Sequence, residues 1–232
     1  MQGIVFTGGK GPPPDKLRTL LAGLEENALM VAADSGLELA ESAGLKPHWI
    51  IGDMDSISNP AKLKSYPEDC IIRYPVDKDF TDTELAFSLL KEKGCDDIWI
   101  IGGGGGRVDH LFGIRSMLEK EFFPSRWYPD NADIYCLETR SLAPETDVQE
   151  TENSVLQHGK LSLCLEPGNL VSVFPLGCGP WEASSRGLRW PLDNVSWNRG
   201  FFGLSNIAQT GEIMINCVQG RFMVLVVHMF PK

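Results

Sequence analysis

The stretch Trp49-Ile50-Ile51-Gly52-Asp53-Met54-Asp55-Ser56 decides how the rest of the chain is read. Three apolar residues run into a glycine, and two aspartates then stand one residue apart. A short, continuous apolar run closed by a turn signal is the pattern of a strand buried on both faces, as in a parallel sheet. With an extended backbone past Gly52, Asp53 and Asp55 point to the same side. Two carboxylates held close repel each other, and burying either one unpaired is expensive. A hard divalent cation removes both difficulties, because Mg²⁺ takes oxygen ligands and is commonly held by one or two carboxylates together with substrate phosphates. Asp-x-Asp-Ser is also ordinary solvated turn chemistry, so the stretch by itself leaves both readings open.

Toward the N-terminus, Ile4-Val5-Phe6 has the same buried-strand pattern and ends in Thr7-Gly8-Gly9-Lys10-Gly11. This is not a Walker loop: Ile4 stands where the leading glycine belongs, and Gly11 where Ser or Thr is required. A Gly-Gly turn at a strand end still lets a ligand approach the backbone closely. Residues 15–26 are expected to form a helix. Leu29–Ala33 reads as the next strand, ending in Asp34-Ser35-Gly36, with Ser35 and Glu38 a capping box for the helix that follows.

Toward the C-terminus, Asn59-Pro60 opens a short helix and residues 70–74 form a further strand. Pro75 then breaks the chain into Val76-Asp77-Lys78-Asp79-Phe80-Thr81-Asp82-Thr83-Glu84. Thr81 and Glu84 make a second capping box, for a helix packing through Leu85, Ala86, Leu89 and Leu90 and stopped by Gly94. Acids near a helix N-terminus are favourable by about 0.3–1 kcal/mol each. A metal arriving with a phosphate would use the same carboxylates and N–H groups. Ile98–Ile101 is another apolar strand, followed by the glycine run Gly102–Gly106 and Arg107-Val108-Asp109-His110. A run of glycines is entropically costly, by about 0.5–1 kcal/mol each relative to Ala in regular structure. Between a buried strand and an amphipathic helix (Leu111, Ile114, Leu118) its use is a bare loop against which a phosphate or nucleotide packs. Arg107 occupies the third-glycine position of a G-x-G-x-x-G, so the dinucleotide fingerprint fails. Arg107 can fork onto phosphate oxygens or form a surface ion pair. His110, taken alone, reads as a packing or capping residue.

The chain has 232 residues, 43% of them hydrophobic and 22% charged, which suits one large or two small globular domains. Its net charge of −10 argues against nucleic-acid and anionic-membrane partners. Six dispersed cysteines with no Cys-x-x-Cys pair read as reduced thiols, and neither a signal peptide nor a membrane-spanning stretch is recognisable. A cytoplasmic protein is expected. Up to Ile134–Leu137, read as the last strand of the alternating pattern, strands and helices imply a parallel sheet with helices on both faces. Beyond the polar stretch 138–153 only strand-like runs follow, at 160–165, 170–174, 212–216 and 222–227. The expected fold is therefore α/β plus all-β, with an N-terminal Rossmann-like domain over 1–140 and a C-terminal β-sandwich over 141–232.

Ligands of an open parallel sheet bind beyond the carboxyl ends of its strands. Gly8-Gly9, Asp34-Ser35-Gly36, Asp53-x-Asp55, Asp79-x-Thr81-Asp82 and Gly102–His110 all follow strands, so five loops converge on one edge and favour a metal–polyphosphate site. The same motifs, in this order, resemble those of the thiamine pyrophosphokinase family. Gly187-Leu188-Arg189-Trp190-Pro191-Leu192 and Leu204-Ser205-Asn206 are similar to motifs of that family's sandwich domain, so the resemblance covers nearly the whole chain. Departures are Met54 where an aromatic residue is usual, Leu204 where a small or β-branched one is common, and a long segment between the domains.

The resemblance implies transfer of the β,γ-diphosphate of ATP to the thiamine hydroxyl, giving thiamine diphosphate and AMP. It assigns Mg²⁺ to Asp53, Asp55 and Asp82. The nucleotide falls to Gly8, Gly9, Asp34, Ser35, Gly36, Asp79, Thr81, Gly102, Gly103, Gly104, Arg107, Asp109 and His110, with Asp109 orienting Arg107. It places Trp190 on the thiamine pyrimidine, with Ser205 and Asn206 nearby, although a sandwich-core tryptophan is the alternative for Trp190. It also implies a homodimer whose sites combine both chains. A metal-dependent nucleotide phosphohydrolase and a non-enzymatic nucleotide-sensing module are the rival readings.

Overall fold

Apolar runs of four or five residues flanked by turns fold as interior strands, and the computed structural model shows how they are ordered. It describes residues 1–139, 149–151, 154–157 and 159–228. The chain divides into two compact units, Met1–Asp130 and Asn131–Lys232.

The first unit contains β1 (Gln2–Phe6), α1 (Pro14–Leu21), β2 (Leu29–Ala33), α2 (Gly36–Ser42) and β3 (Trp49–Gly52). Short 3-10 turns lead to β4 (Ile71–Arg73), followed by α3 (Asp82–Glu92), β5 (Asp97–Ile101), α4 (Val108–Met117) and β6 (Arg126–Tyr128). Its strands lie in the order β4-β3-β2-β1-β5-β6, with every neighbour parallel. β1 and β5 are buried along their whole length, as their apolar runs require. Alternate residues separate the two faces of this sheet. Ile4, Phe6, Ala32, Ile50 and Trp99 form one core with Leu17 of α1 and Leu37 and Ala40 of α2. Each large aliphatic side chain buried there contributes about 1.5–3 kcal/mol. On the opposite face, α3 packs so closely that a Cβ on Gly3 would lie 3.0 Å from Leu90 Cδ1.

Two helix expectations in this unit need correction. α1 ends at Leu21 rather than running to residue 26. Gly23 is a poor helix former, and Glu25 and Glu26 would oppose the negative end of the helix dipole. Ser35 does not make a capping box. It already has helical angles, φ −61 and ψ −6, and its side chain makes no cap hydrogen bond, whereas a capping hydroxyl needs an extended backbone. Glu38 instead accepts from the Ser58 N–H at 2.8 Å. At Thr81, with φ −70 and ψ 156, the complete box forms: the Glu84 N–H donates to Thr81 Oγ1 and the Thr81 N–H to Glu84 Oε2.

The second unit contains β7 (Ala132–Glu138), β8 (Gln149–Thr151), β9 (Ser154–Gln157), β10 (Lys160–Cys164), β11 (Leu170–Leu176), β12 (Glu182–Arg186), β13 (Gly203–Ile207), β14 (Glu212–Gln219) and β15 (Arg221–Val227). These form two antiparallel groups, β7-β15-β11-β13 and β12-β14-β10-β9-β8. Both contribute to one core: Leu137, Val171, Phe222 and Val224 from the first meet Leu161, Leu163, Ile213 and Ile215 from the second. β7 does not continue the parallel pattern. It pairs antiparallel with β15, with Cys136 opposite Met223, because residues 129–131 are too few for the crossover that a following parallel strand needs. Among the described residues no helix is long and apolar enough to cross a membrane.

Candidate functional site

The chain runs outward from β1 to β4 and then returns to place β5 on the other side of β1. Such a reversal opens a crevice between the loops that leave the two neighbouring strands. Here those loops are Gly8–Gly11 and the glycine run, and their backbones are laced together. The Gly103 N–H donates to Gly8 O at 2.9 Å, and Lys10 and Gly104 exchange N–H···O bonds of 2.7 and 2.8 Å. Gly102 sits at φ +107, where a Cβ would lie 2.3 Å from Thr7 O. The start of the glycine run is thus required by backbone packing. Its far end is open, since a Cβ on Gly106 would meet only Gly104 O, at 3.6 Å.

A cleft of about 690 Å³ opens here, within the range of small-molecule sites. Gly8, Gly9, Gly103 and Gly104 line it together with Asp34, Ser35 and Asp53. Asp79, Thr81 and Asp82 come from the start of α3, and Arg107 and His110 from the start of α4. Of the residues expected in the first unit's site, Gly36, Asp55, Gly102 and Asp109 do not line the cleft.

The carboxylates of Asp34, Asp53 and Asp82 converge, with one oxygen of each lying within 4.8 Å of the others. Their placement is local. Gly52, at φ +144, leaves β3 where any Cβ would crowd Asp82 Oδ1 at 3.1 Å. Met54 then turns at φ +67, and the Asp55 N–H folds back onto Asp53 Oδ1 at 3.1 Å. The expectation of an extended backbone presenting Asp53 and Asp55 together is therefore corrected. The turn holds Asp53 inward, leaves the Asp55 side chain exposed, and Asp34 takes the third place.

Asp34 is only 8% exposed, and its Oδ2 accepts from Ser56 Oγ. Its Oδ1 is buried and, among the described residues, has no hydrogen-bond partner. Burial pushes the Asp34 carboxyl above its ordinary range; the Ser56 hydrogen bond opposes this, and the charges of Asp53, Asp82 and Asp55 reinforce it. The Asp55 backbone N–H holds the Asp53 carboxyl below its ordinary range. Lys78 lies inside the group, its Nζ 3.1 Å from Asp82 Oδ1 and 3.8 Å from Asp53 Oδ2. The Asp82 contact is an ion pair without hydrogen-bond geometry, so Asp82 Oδ1 also counts as unsatisfied. Three converging carboxylates, two of them with a buried oxygen lacking a hydrogen bond and one ammonium among them, fit a hard divalent cation.

At the rim, Arg107 forks onto Asp109, Nε to Oδ1 at 3.2 Å and Nη2 to Oδ2 at 2.5 Å. The hydrogen bond from Arg107 holds the Asp109 carboxyl down at about 2. Both groups are exposed, so the pair orients the guanidinium more than it stabilises the fold. Three contributors were not singled out from the sequence: Lys78, Ser56, and the Thr7–Thr83 hydroxyl pair at 2.6 Å. Lys78 had a signal, as the single basic residue in the acid-rich segment 76–84.

In the second unit Trp190 is 53% exposed, and the buried core tryptophan is Trp197. Trp190 is held by its backbone: its N–H donates to Asn206 Oδ1 at 3.1 Å and its carbonyl accepts from Asn206 Nδ2 at 2.7 Å. Asn206 is buried, whereas Ser205, at φ +56, is exposed with its N–H on Ser172 Oγ. The Arg189 guanidinium lies 4.9 Å from the centre of the Trp190 ring.

Residues 21–126 match the family profile described as thiamin pyrophosphokinase, catalytic domain. Over 190 residues the chain is 32% identical to the thiamine pyrophosphokinase of Bacillus subtilis (strain 168), covering 79% of each protein. The fold is similar to the crystal structure of thiamine pyrophosphokinase from Bacillus subtilis, with a TM-score of 0.74 at 21% identity, over 99% of this chain and 100% of that one. It is also similar to thiamin pyrophosphokinase from Candida albicans, with a TM-score of 0.65 at 17% identity, over 97% of this chain and 88% of that one.

Proposed function

The chain belongs to the thiamine pyrophosphokinase family, a family of transferases, and from that premise we propose that it transfers the β,γ-diphosphate of ATP to the hydroxyl of thiamine. The hydroxyl oxygen bonds to the β-phosphorus, the bond from that phosphorus to the α,β-bridging oxygen breaks, AMP leaves with that oxygen, and the hydroxyl proton is released to solvent water. The observation that carries this reading is the acidic group facing the glycine-lined cleft, with Asp34 Oδ1 buried and unsatisfied.

Diphosphate transfer needs positioning and charge stabilisation more than covalent chemistry. Asp53 and Asp82, with Asp34 beside them, would hold Mg²⁺, and Asp55 would join from the rim. Bound there, Mg²⁺ supplies positive charge to the phosphate oxygens. The loops of Gly8–Gly9 and Gly103–Gly104 let the phosphates approach backbone, Asp109 aims Arg107 at them, and the N-terminus of α3 adds its own positive field. Trp190 offers a rigid aromatic face to the cationic, aromatic acceptor.

In this reading the first unit is a Rossmann-like nucleotide domain, supported by its parallel order and its crevice beside β1. The second is a β-sandwich that binds thiamine and dimerises, supported by its shared core and by the exposed Trp190, Phe201, Phe202 and Leu204. One assay tests the whole: AMP release from ATP and Mg²⁺, with and without thiamine. AMP that appears only with thiamine is the expected result. Release without acceptor would make the protein a hydrolase, and no release at all would make it a binding module.

A further inference from the structure

The acidic group already contains a cation of the chain's own. Lys78 Nζ stands between Asp53 and Asp82, and its third contact is a hydrogen bond to the Pro75 carbonyl at 3.1 Å. The side chain as a whole is only 13% exposed. A divalent cation sits about 2.0–2.1 Å from its carboxylate oxygens when it is Mg²⁺. On Asp82 Oδ1 such an ion would be crowded by an ammonium only 3.1 Å from the same oxygen. Sharing that oxygen, the two positive charges would lie within about 5 Å of each other and repel in a partly buried site. Lysine has the means to yield, because its point charge rides on a flexible four-carbon stem.

We propose that Lys78 is a resident counter-ion of the acidic group, occupying part of the cation position in the metal-free protein and moving out when a divalent cation binds. This rests on the metal-binding reading above. It gives Lys78 a positioning role with two consequences. The metal-free protein is spared the repulsion among Asp34, Asp53 and Asp82, and the free divalent cation binds weakly because it must displace a neighbour. A cation arriving on a polyphosphate meets less resistance, since the phosphates can take up the released ammonium.

The test uses the full chain and Mn²⁺ without nucleotide, with binding followed by electron paramagnetic resonance in wild type, Lys78→Met and Asp82→Asn. Lys78→Met is expected to bind Mn²⁺ at least about tenfold more tightly than wild type, because a competing charge has gone. Its melting temperature in EDTA should fall below wild type, and Mn²⁺ should raise it by the larger increment. Lys78→Met binding equal to or weaker than wild type, while Asp82→Asn loses the ion, overturns the counter-ion role alone. Absence of Mn²⁺ binding in both wild type and Lys78→Met overturns the metal site and the counter-ion role together. Wild type alone gives an independent measurement should the variant not fold. Acetylation of Lys78, mapped by peptide mass spectrometry, is expected to rise on Mn²⁺ saturation, and continued protection overturns the displacement.

Discussion

The two candidate binding regions are built on opposite plans. In the first unit the candidate groups are carboxylates, one buried and two half-buried, turned toward one another, with two oxygens left without a hydrogen bond. In the second unit the candidate group is an aromatic ring at the surface, and what is buried is the Asn206 amide that holds its backbone. Under the proposed function the difference follows from what each region would bind. Concentrating charge for a cation needs depth, where the dielectric is low and every unpaired oxygen is expensive. Stacking needs a flat face already in place, and depth beneath it serves only to fix the angle.

The largest expected effect tests the deep region. Asp53→Asn should lower turnover by about 10²–10³-fold, the loss typical of removing one preorganised electrostatic contact, with the melting temperature unchanged or slightly lower, because the Asp55 N–H and Lys78 favour the ionised carboxyl that is lost. Asp55→Asn sharpens the picture. Loss of most turnover at saturating Mg²⁺ is expected, with the exposed carboxylate drawn in by the cation. Near-normal turnover would leave Asp34 as the third carboxylate instead.

Next comes the surface ring. Trp190→Ala should weaken thiamine binding by about tenfold or more, from a cation–π contact of about 0.5–2 kcal/mol plus lost contact area, and leave ATP binding nearly unchanged. At thiamine concentrations too low for Trp190→Ala to turn over, mixing it with Asp53→Asn should restore activity if each site draws on two chains. A mixture that stays inactive after proven subunit exchange would place each site within one chain.

A smaller effect is expected beneath the ring. Asn206→Ala strands the Trp190 N–H and carbonyl, which should cost about 1–3 kcal/mol of stability, seen as a lower melting temperature alongside weaker thiamine binding. Unchanged thiamine affinity would mean that the ring's angle is set by something else.

The smallest effect belongs to the support of the deep region. Burial pushes the Glu84 carboxyl up, but hydrogen bonds from Lys120 and from Thr81 outweigh it and leave the group below its ordinary 4.5. A carboxyl whose folded value is depressed stabilises the fold above its unfolded value and loses that contribution as pH falls through the folded value. Glu84→Gln should therefore melt below wild type at pH 7, by under about 1 kcal/mol in stability, and the gap should close between pH 4.5 and more acid conditions. A gap that widens on acidification would assign the capping energy to another group.

The sequence made the scaffold of the deep region legible and left part of its chemistry hidden. Trp49–Gly52, Ile98–Ile101 and the Thr81 cap carry patterns that local physics enforces, so they could be read directly. Asp34 was read as a nucleotide contact at a strand end, because nothing in Asp-Ser-Gly reveals the φ of +49 that swings it toward Asp53 and Asp82. The same turn defeats the Ser35 capping box. Lys78 was passed over because a lysine among acids looks solvated, whereas its burial depends on where Asp53 arrives from another strand. β6 escaped notice because Arg126 interrupts its apolar pattern; it is fully buried, with its guanidinium 4.7 Å from the centre of the Trp99 ring. β12 and β13 are too rich in Ser, Glu and Gly to show a strand period. In the second unit, exposure separated Trp190 from Trp197, and composition had no means of doing so.

The Asn206 clamp also sets a clock. Its Oδ1 accepts from two amides, those of Trp190 and Ile207, so one rotation of a single side chain unlocks both. Their hydrogen exchange in the free protein should therefore be correlated, and the shared rate reports how often the backbone of Trp190 is released from Asn206. If that opening is rare, acceptor encounters find the face already set, and differences among thiamine analogues will be written in how long each stays rather than in how fast it arrives.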